Sequence, residues 1–106
     1  MYVHHEKQPA TYIITNKKYG TLYTGVTSNI IQRIYQHKAG IFKGFSKKYG
    51  CKQLVYYEFF SEMNYAIEYE KRIKSGSRNK KIEIIEKLNP KWKDLYDDLL
   101  GVRYED

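Results

Sequence analysis

A carboxylate at an apolar position is the first chemical anomaly in this sequence. Between residues 61 and 75, apolar residues recur at helical spacing: Met63, Ala66, Ile67 and Ile73. Glu70 falls at the centre of the face that they form. A carboxylate on a core-facing stripe loses hydration and needs a cation, a hydrogen-bond donor or a proton. Two interpretations stay open: an ion pair with a lysine such as Lys74, or a ligand for Mg²⁺, which takes few carboxylates and keeps several waters.

Two further side chains that could do chemistry lie on a predicted helix before residue 40. Arg33 and His37 are four residues apart and are therefore neighbours on one side of that helix. The planar fork of arginine can donate two hydrogen bonds to a phosphate, and histidine can shuttle a proton or bind a phosphate oxygen. The alternative is a solvated arginine beside a partly buried histidine.

Two tyrosines form the third group. The chain has 12 tyrosines, most of which must serve packing or base stacking. Tyr12 and Tyr23 differ because they stand on the two arms of a predicted hairpin, where they could face each other. A tyrosine near a phosphate and a metal-bound water can accept a proton if nearby cations lower its pKa.

The charge distribution indicates a polyanionic partner. The net charge is +7, and no acidic residue occurs between Glu6 and Glu58, whereas five acidic residues lie in the last fifteen. A positive field of this kind attracts nucleic acid through counterion release, and aromatic residues among the lysines can stack on bases. The alternative is a lysine-rich surface without a specific partner. We expect nucleic acid, and DNA before RNA, to contact a set of lysines: Lys38, Lys43, Lys47 and Lys48.

The elements that position these groups follow from the apolar pattern. Two β-branched and aromatic runs, 12–15 and 22–27, predict a β-hairpin whose turn uses Gly20 at positive φ. A helix then runs from a cap at Ser28 or Asn29 to Gly40. A basic loop with one helical turn spans 41–52, and the aromatic run 54–60 predicts a third strand. A second helix is predicted from Ser61 or Asn64 to Ser75, and a third from Ser77 to Leu88. A short closing helix is predicted over 92–100. The order β-β-α-β-α-α predicts an α/β (α+β) fold with a small three-stranded sheet covered by helices.

The length of 106 residues suits one domain over 1–106, with a flexible tail at 1–10 and an acidic closing helix and tail at 91–106. The single cysteine, Cys51, forms no internal disulfide, which points to a reducing cytoplasm and leaves that thiol a core or bystander role. No apolar run has the length of a signal peptide or a membrane span. We therefore expect a cytoplasmic protein that does not contact a membrane.

These residues, in this order, resemble the GIY-YIG nuclease superfamily, and its small stand-alone bacterial proteins most of all. The similarity extends from about Thr11 to Leu100, and its two half-motifs fall on Ala10-Thr11-Tyr12 and Tyr23-Thr24-Gly25. The other matching positions are the helix arginine and the residue four later, the metal-binding glutamate and a late asparagine: Arg33, His37, Glu70 and Asn89.

The resemblance implies an antiparallel three-stranded sheet flanked by helices and an endonuclease that hydrolyses DNA phosphodiester bonds with one Mg²⁺ or Mn²⁺. Tyr23, or otherwise Tyr12, would be the general base, Arg33 would stabilise the transition state, and Glu70 would hold the ion. Gly25 and Asn89 would support the site. Val26 stands where some members keep a catalytic lysine, which His37 or Lys38 would then replace.

The size of the chain leaves no room for the DNA-binding domain that members of this superfamily usually carry. We therefore expect structure-specific or weakly specific cleavage, in DNA repair or recombination, with a protein partner supplying specificity. An alternative is a nucleic-acid-binding module that keeps the fold without catalysis. A third hypothesis is an adaptor that binds a partner through the acidic C-terminal helix.

Overall fold

The computed structural model describes residues 8–101. In that range the elements are β1 (Ala10–Thr15), β2 (Leu22–Thr27), α1 (Ile30–Lys38), α2 (Phe45–Lys48), β3 (Gln53–Phe59), α3 (Met63–Ser75), α4 (Arg78–Leu88) and α5 (Tyr96–Leu100). The predicted order of strands and helices is confirmed. Helix α2 is the single turn that was expected in the basic loop 41–52.

The three strands form an antiparallel sheet in the order β2-β1-β3, so β1 is central. Tyr12 pairs with Gly25, and Ile14 pairs with Tyr23. Because paired residues project to the same face, Tyr12 and Tyr23 are diagonal neighbours on one face. The two tyrosines of the hairpin thus share one face of the sheet, with Tyr23 opposite Ile14 and not opposite Tyr12.

The hairpin turn differs from the prediction in its backbone. Tyr19 adopts the left-handed conformation with φ 60°, and Gly20 does not have a positive φ. Gly20 is required instead by close approach, since a Cβ there would collide with Asn16 Oδ1. That same oxygen accepts a hydrogen bond from the Thr21 amide at 2.9 Å, which closes the turn.

A β-bulge in β3 explains why the run 54–60 is apolar almost throughout. Ile13 pairs with Tyr56 and Ile14 with Leu54, which leaves Val55 as an extra residue. Val55 and Tyr56 consequently pack in the same cluster, although they are consecutive. Beyond the bulge, Tyr57 returns to the face of Tyr12.

Each face of the sheet has its own core. One face packs residues of β1 and β3 against α1 and α5: Ala10, Tyr12, Ile14, Ile30, Ile34, Cys51, Leu54 and Leu99. The opposite face packs against α3, α4 and the chain after α4: Ile13, Val55, Tyr56, Ile73, Ile85 and Trp92. Leu99 is buried, so the closing helix contributes to the core, which weighs against the adaptor hypothesis.

The predicted helix caps at Asn29 and Ser77 are confirmed, because their side chains accept hydrogen bonds from the amides of Gln32 and Lys80 at 3.1 Å. Two helical expectations are wrong. Ile67 is 36% exposed, because α3 is rotated so that Ala66, Glu70 and Ile73 face inward. The closing helix begins only at Tyr96, since Trp92 has φ 57° and interrupts the pattern.

The predicted boundary between the N-terminal tail and the domain is wrong by one residue or more. Ala10, assigned above to a flexible tail, is fully buried as the first residue of β1, and the Pro9 carbonyl accepts a hydrogen bond from the Phe60 amide at 2.9 Å. The rest of the predicted tails, 1–7 and 102–106, lies outside the described residues. Between residues 8 and 101, no helix combines the length and apolar character needed to cross a membrane.

Candidate active site

A cavity of about 140 Å³ opens beside the face of the sheet that carries Tyr12 and Tyr23. Its walls come from β2, α1 and the segment that follows α1. Seven residues line it: Tyr23, Arg33, His37, Phe42, Lys43, Phe45 and Ser46. The fold thus brings together Tyr23, Arg33 and His37, which the sequence singled out.

His37 lies at the base of this cavity and uses both ring nitrogens. Its side chain is buried, with 6% exposure. Nε2 lies 2.9 Å from the Tyr12 hydroxyl, and Nδ1 lies 3.1 Å from the Ser46 hydroxyl. Burial, with a contribution from the positive charge of Arg33, lowers the pKa of His37 to about 4. The imidazole is therefore neutral near pH 7, with one nitrogen donating and the other accepting a hydrogen bond.

Tyr12 lies deeper than Tyr23. It is fully buried, and burial raises the pKa of Tyr12 to about 12, while the Arg33 guanidinium beside its hydroxyl opposes that rise. The hydroxyl end of the Tyr12 ring lies against the backbone of Gly25. A Cβ on Gly25 would lie 2.5 Å from Tyr12 Cζ and closer still to the hydroxyl oxygen, so only glycine fits there.

Tyr23 is the tyrosine that lines the cavity. Its ring packs edge-on to His37, with centroids 5.6 Å apart, and stacks on Phe45 with centroids 6.2 Å apart. It is partly exposed, in contrast to Tyr12. A water or a phosphate in the cavity can therefore reach Tyr23.

Two cations face the cavity. Arg33 Nη1 donates a hydrogen bond to the Val26 carbonyl at 3.4 Å, and the guanidinium lies 5.2 Å from the centre of the Phe42 ring. These contacts hold the partly buried arginine in place, and the exposed Lys43 adds a second positive charge. This pairing suits a phosphate group.

Glu70 approaches from the helices on the other face of the sheet. It is buried on α3, and its Oε2 forms an ion pair with Lys74 Nζ at 2.7 Å. The first interpretation of Glu70, an ion pair with Lys74, is thus confirmed. Its negative charge also makes a small contribution to the raised pKa of Tyr12.

The donor set around Glu70 suits only some metals. Among residues 8–101, no group of three or more histidine, cysteine, aspartate or glutamate side chains could hold an ion. A single carboxylate fits Mg²⁺ or Mn²⁺, which favour oxygen ligands and, for Mg²⁺, retain water. The Lys74 side chain that pairs with it is half exposed.

The other predicted site residues lie elsewhere. Asn89 donates hydrogen bonds to the carbonyls of Val55 and Lys93 and accepts one from the Lys93 amide, so its amide group is committed to holding the chain after α4. Lys38 is bonded to Asp94 and to the Lys52 carbonyl and does not line the cavity.

The remaining predicted lysines, Lys47 and Lys48, lie exposed on α2 beyond the mouth of the cavity. Three further residues line the cavity without having been predicted as site residues: Phe42, Phe45 and Ser46. Ser46 carries no local signal, because its role depends on His37 nine residues earlier, across a loop.

The fold and the cavity together define an α+β domain in which a tyrosine-bearing hairpin and an arginine-bearing helix line one cavity, and in which α3 carries a buried glutamate. Residues 8–83 match the family model described as the GIY-YIG catalytic domain. The chain therefore belongs to the GIY-YIG family of nuclease domains, as the resemblance implied.

Within this family the chain is similar to small proteins named UPF0213. It is 40% identical over 73 residues to a UPF0213 protein of Staphylococcus haemolyticus, which covers 69% of this chain and 89% of that protein. It is 38% identical over 65 residues to one of Clostridium perfringens, covering 61% and 70%. The solution NMR structure of a UPF0213 protein from Bacillus halodurans superposes with a TM-score of 0.53 at 26% identity, covering 85% of this chain and 95% of that chain.

Proposed function

We propose that this chain is a divalent-metal-dependent endonuclease that hydrolyses phosphodiester bonds in DNA. The observation that carries the proposal is the convergence of Tyr23, Arg33 and a neutral His37 on one cavity, in a fold that also buries Glu70 on α3. Branched DNA as the substrate, and repair or recombination as the process, belong to this proposal. So does a protein partner that supplies specificity.

Arg33 and Lys43 bind the scissile phosphate. The guanidinium is held at Val26 and Phe42 before substrate arrives, so little reorganisation is needed when charge builds up on the phosphate oxygens. Fixed donors of this kind stabilise the transition state more than the ground state.

Tyr23, as the phenolate that remains after its own proton has left to solvent, accepts the proton of the attacking water. It is the tyrosine that faces the cavity, whereas the hydroxyl of Tyr12 is buried and engaged with His37. The neutral imidazole, held by Ser46, keeps Tyr12 and the edge of Tyr23 in place. Tyr12 therefore acts as a positioning residue.

Glu70 would hold Mg²⁺ or Mn²⁺ once Lys74 has moved aside, because it is the buried carboxylate of α3. Such an ion would supply positive charge to the phosphate and to the leaving oxygen.

The test is cleavage of supercoiled plasmid and of a branched oligonucleotide with Mg²⁺ or Mn²⁺, and with EDTA as the blank. Arg33→Ala should lower the rate by about 100-fold or more, as expected when one transition-state donor is lost. Lys91→Ala removes an equal charge at an exposed position outside the cavity and should leave the rate unchanged. Equal cutting by wild type and Arg33→Ala would identify a contaminating nuclease and refute the proposal.

The two tyrosines are separated by paired variants. Tyr23→Phe should lower the cleavage rate by about 100-fold or more, because it removes the proton acceptor. Tyr12→Phe should lower the rate by less, because it removes only a contact that positions the site. The reverse pattern would assign the base to Tyr12.

The Glu70–Lys74 ion pair favours the second candidate, a nucleic-acid-binding module without catalysis, because the ammonium holds an oxygen that a metal ion would need. That candidate predicts salt-sensitive DNA binding and no cleavage in any metal. Metal-dependent cutting by the wild type eliminates it.

A further inference from the structure

A second, open groove of about 620 Å³ lies between the hairpin turn and the start of α4. Three cationic side chains line it, Lys17, Arg78 and Lys81, and none of its lining residues is acidic. The nuclease chemistry proposed above uses none of these cations. A groove with this charge is complementary to the phosphates of a nucleic acid strand.

The groove is a built feature rather than a chance arrangement of surface lysines. Arg78 Nη2 donates hydrogen bonds to the carbonyls of Tyr19 and Gly20 at 2.6 and 2.7 Å, which ties the hairpin turn to α4. The Tyr19 hydroxyl adds a bond to Glu86 at 2.9 Å, further along α4. The walls of the groove are therefore fixed relative to each other, and the charge of Arg78 is held at one place.

Phe45 joins this groove to the cavity of Arg33, because its ring lines both. The ring is 50% exposed, and that of Tyr49 beside it is 44% exposed, with centroids 4.8 Å apart. Two neighbouring aromatic rings that face solvent offer a surface on which a base can stack. The bases of a duplex are already stacked on both faces, so only an unpaired base can use it.

We infer that the groove and Phe45 bind a single DNA strand, with an unpaired base stacked on Phe45 and the adjoining phosphates at Lys17, Arg78 and Lys81. The inference rests on the proposed function in treating the bound strand as the one that enters the cavity of Arg33. The substrate class is then DNA with a single-stranded segment next to the cleavage position, and fully paired DNA binds more weakly.

The test measures binding without cleavage, in EDTA, by fluorescence anisotropy with the full chain. The probes are a labelled single strand of roughly 20 nucleotides, which exceeds the span of one stacking site, and the duplex of the same sequence. The single strand should bind about tenfold more tightly or better at moderate salt, since only it can stack.

Phe45→Leu tests the stacking surface. It should weaken binding of the single strand by about 5- to 100-fold, the range for one lost base–aromatic stack, and leave duplex binding unchanged. Phe45→Trp keeps an aromatic face and should keep tight binding, which separates stacking from folding. Tyr35→Ala removes an exposed ring outside both cavities and should have no effect.

The double variant Lys17→Ala, Lys81→Ala tests the phosphate contacts. The slope of log affinity against log salt for the single strand should decrease in magnitude by about 1.4, because two phosphate contacts are lost. Lys91→Ala is the matched control and should leave the slope unchanged.

Three results would overturn the inference: duplex binding as tight as single-strand binding, Phe45→Leu binding as the wild type does, or an unchanged salt slope in the double variant. Because no metal is present, these outcomes do not depend on catalysis. A chain that binds as described but cuts no DNA in Mg²⁺ or Mn²⁺ retains this inference and refutes the proposed function.

Discussion

Acidification from pH 7 to pH 4.5 should destabilise this protein through His37 by about 2.5 kcal/mol. The imidazole is buried between Tyr12 and Ser46, and its pKa in the folded chain is about 4. In the unfolded chain the pKa is about 6.5. Because the folded pKa is the lower one, the unfolded chain binds the proton first as the pH falls. The stability contributed by His37 is therefore complete above about pH 6.5 and is lost as the pH falls towards 4.

The magnitude follows from the gap between the two values. A gap of about 2.5 pH units corresponds to about 3 kcal/mol when the transition is complete. At pH 4.5 most of that free energy is already lost, which gives the figure above. Arg33 contributes to the low pKa, so part of the effect depends on its charge.

The assay is urea unfolding of the wild type and of His37→Gln at both pH values. The glutamine amide can still bond the Tyr12 hydroxyl but does not titrate, so carboxylates that titrate in this range cancel in the comparison. The wild type should lose about 2.5 kcal/mol more than the variant between the two pH values. Equal losses in both proteins would show that His37 is not held neutral in the fold, and an NMR titration of its ring would locate the discrepancy.

Three further substitutions give separate checks. Gly25→Ala should lower the free energy of unfolding by about 1–3 kcal/mol, because its Cβ would overlap the Tyr12 ring; an unchanged thermal midpoint would contradict the geometry. Asn89→Ala should cost about 2–3 kcal/mol, since carbonyls at Val55 and after α4 lose their donor, with the cleavage rate of the folded fraction unchanged. A rate defect at equal folded fraction would place Asn89 in the site. Lys74→Gln should tighten Mn²⁺ binding by about two- to fivefold in calorimetry, because it frees Glu70; weaker binding would argue against Glu70 as the ligand.

The features predicted correctly from the sequence depend on neighbours in the chain. The Asn29 and Ser77 caps bond to amides three residues later, and residues of one helix face recur at fixed spacing. The helical spacing of apolar residues was enough to predict that Glu70 is a carboxylate among buried positions. It also paired Arg33 with His37 on one side of α1.

The features that escaped prediction depend on residues far apart in the chain. The bulge at Val55 exists because β3 must fit the register of β1. The hydrogen bond between Ser46 and His37 requires the loop after α1 to fold back on that helix. Asn89 resembles a supporting site residue by its place in the sequence, and its hydrogen bond to the Val55 carbonyl, 34 positions away, leaves no sign in the sequence. Periodicity and capping carry no information about such contacts.

We propose that Glu70 holds a divalent ion for DNA cleavage, and single-turnover cleavage of a labelled branched DNA during a Mn²⁺ titration tests this directly. The wild type should show a saturable rate that EDTA abolishes, and Glu70→Gln should lower that rate by about 100-fold or more at every Mn²⁺ concentration, as for loss of a transition-state charge. Glu68→Gln, an exposed carboxylate on the same helix, should behave as the wild type does. Cleavage by Glu70→Gln at the wild-type rate, with the same Mn²⁺ dependence, would contradict the claim.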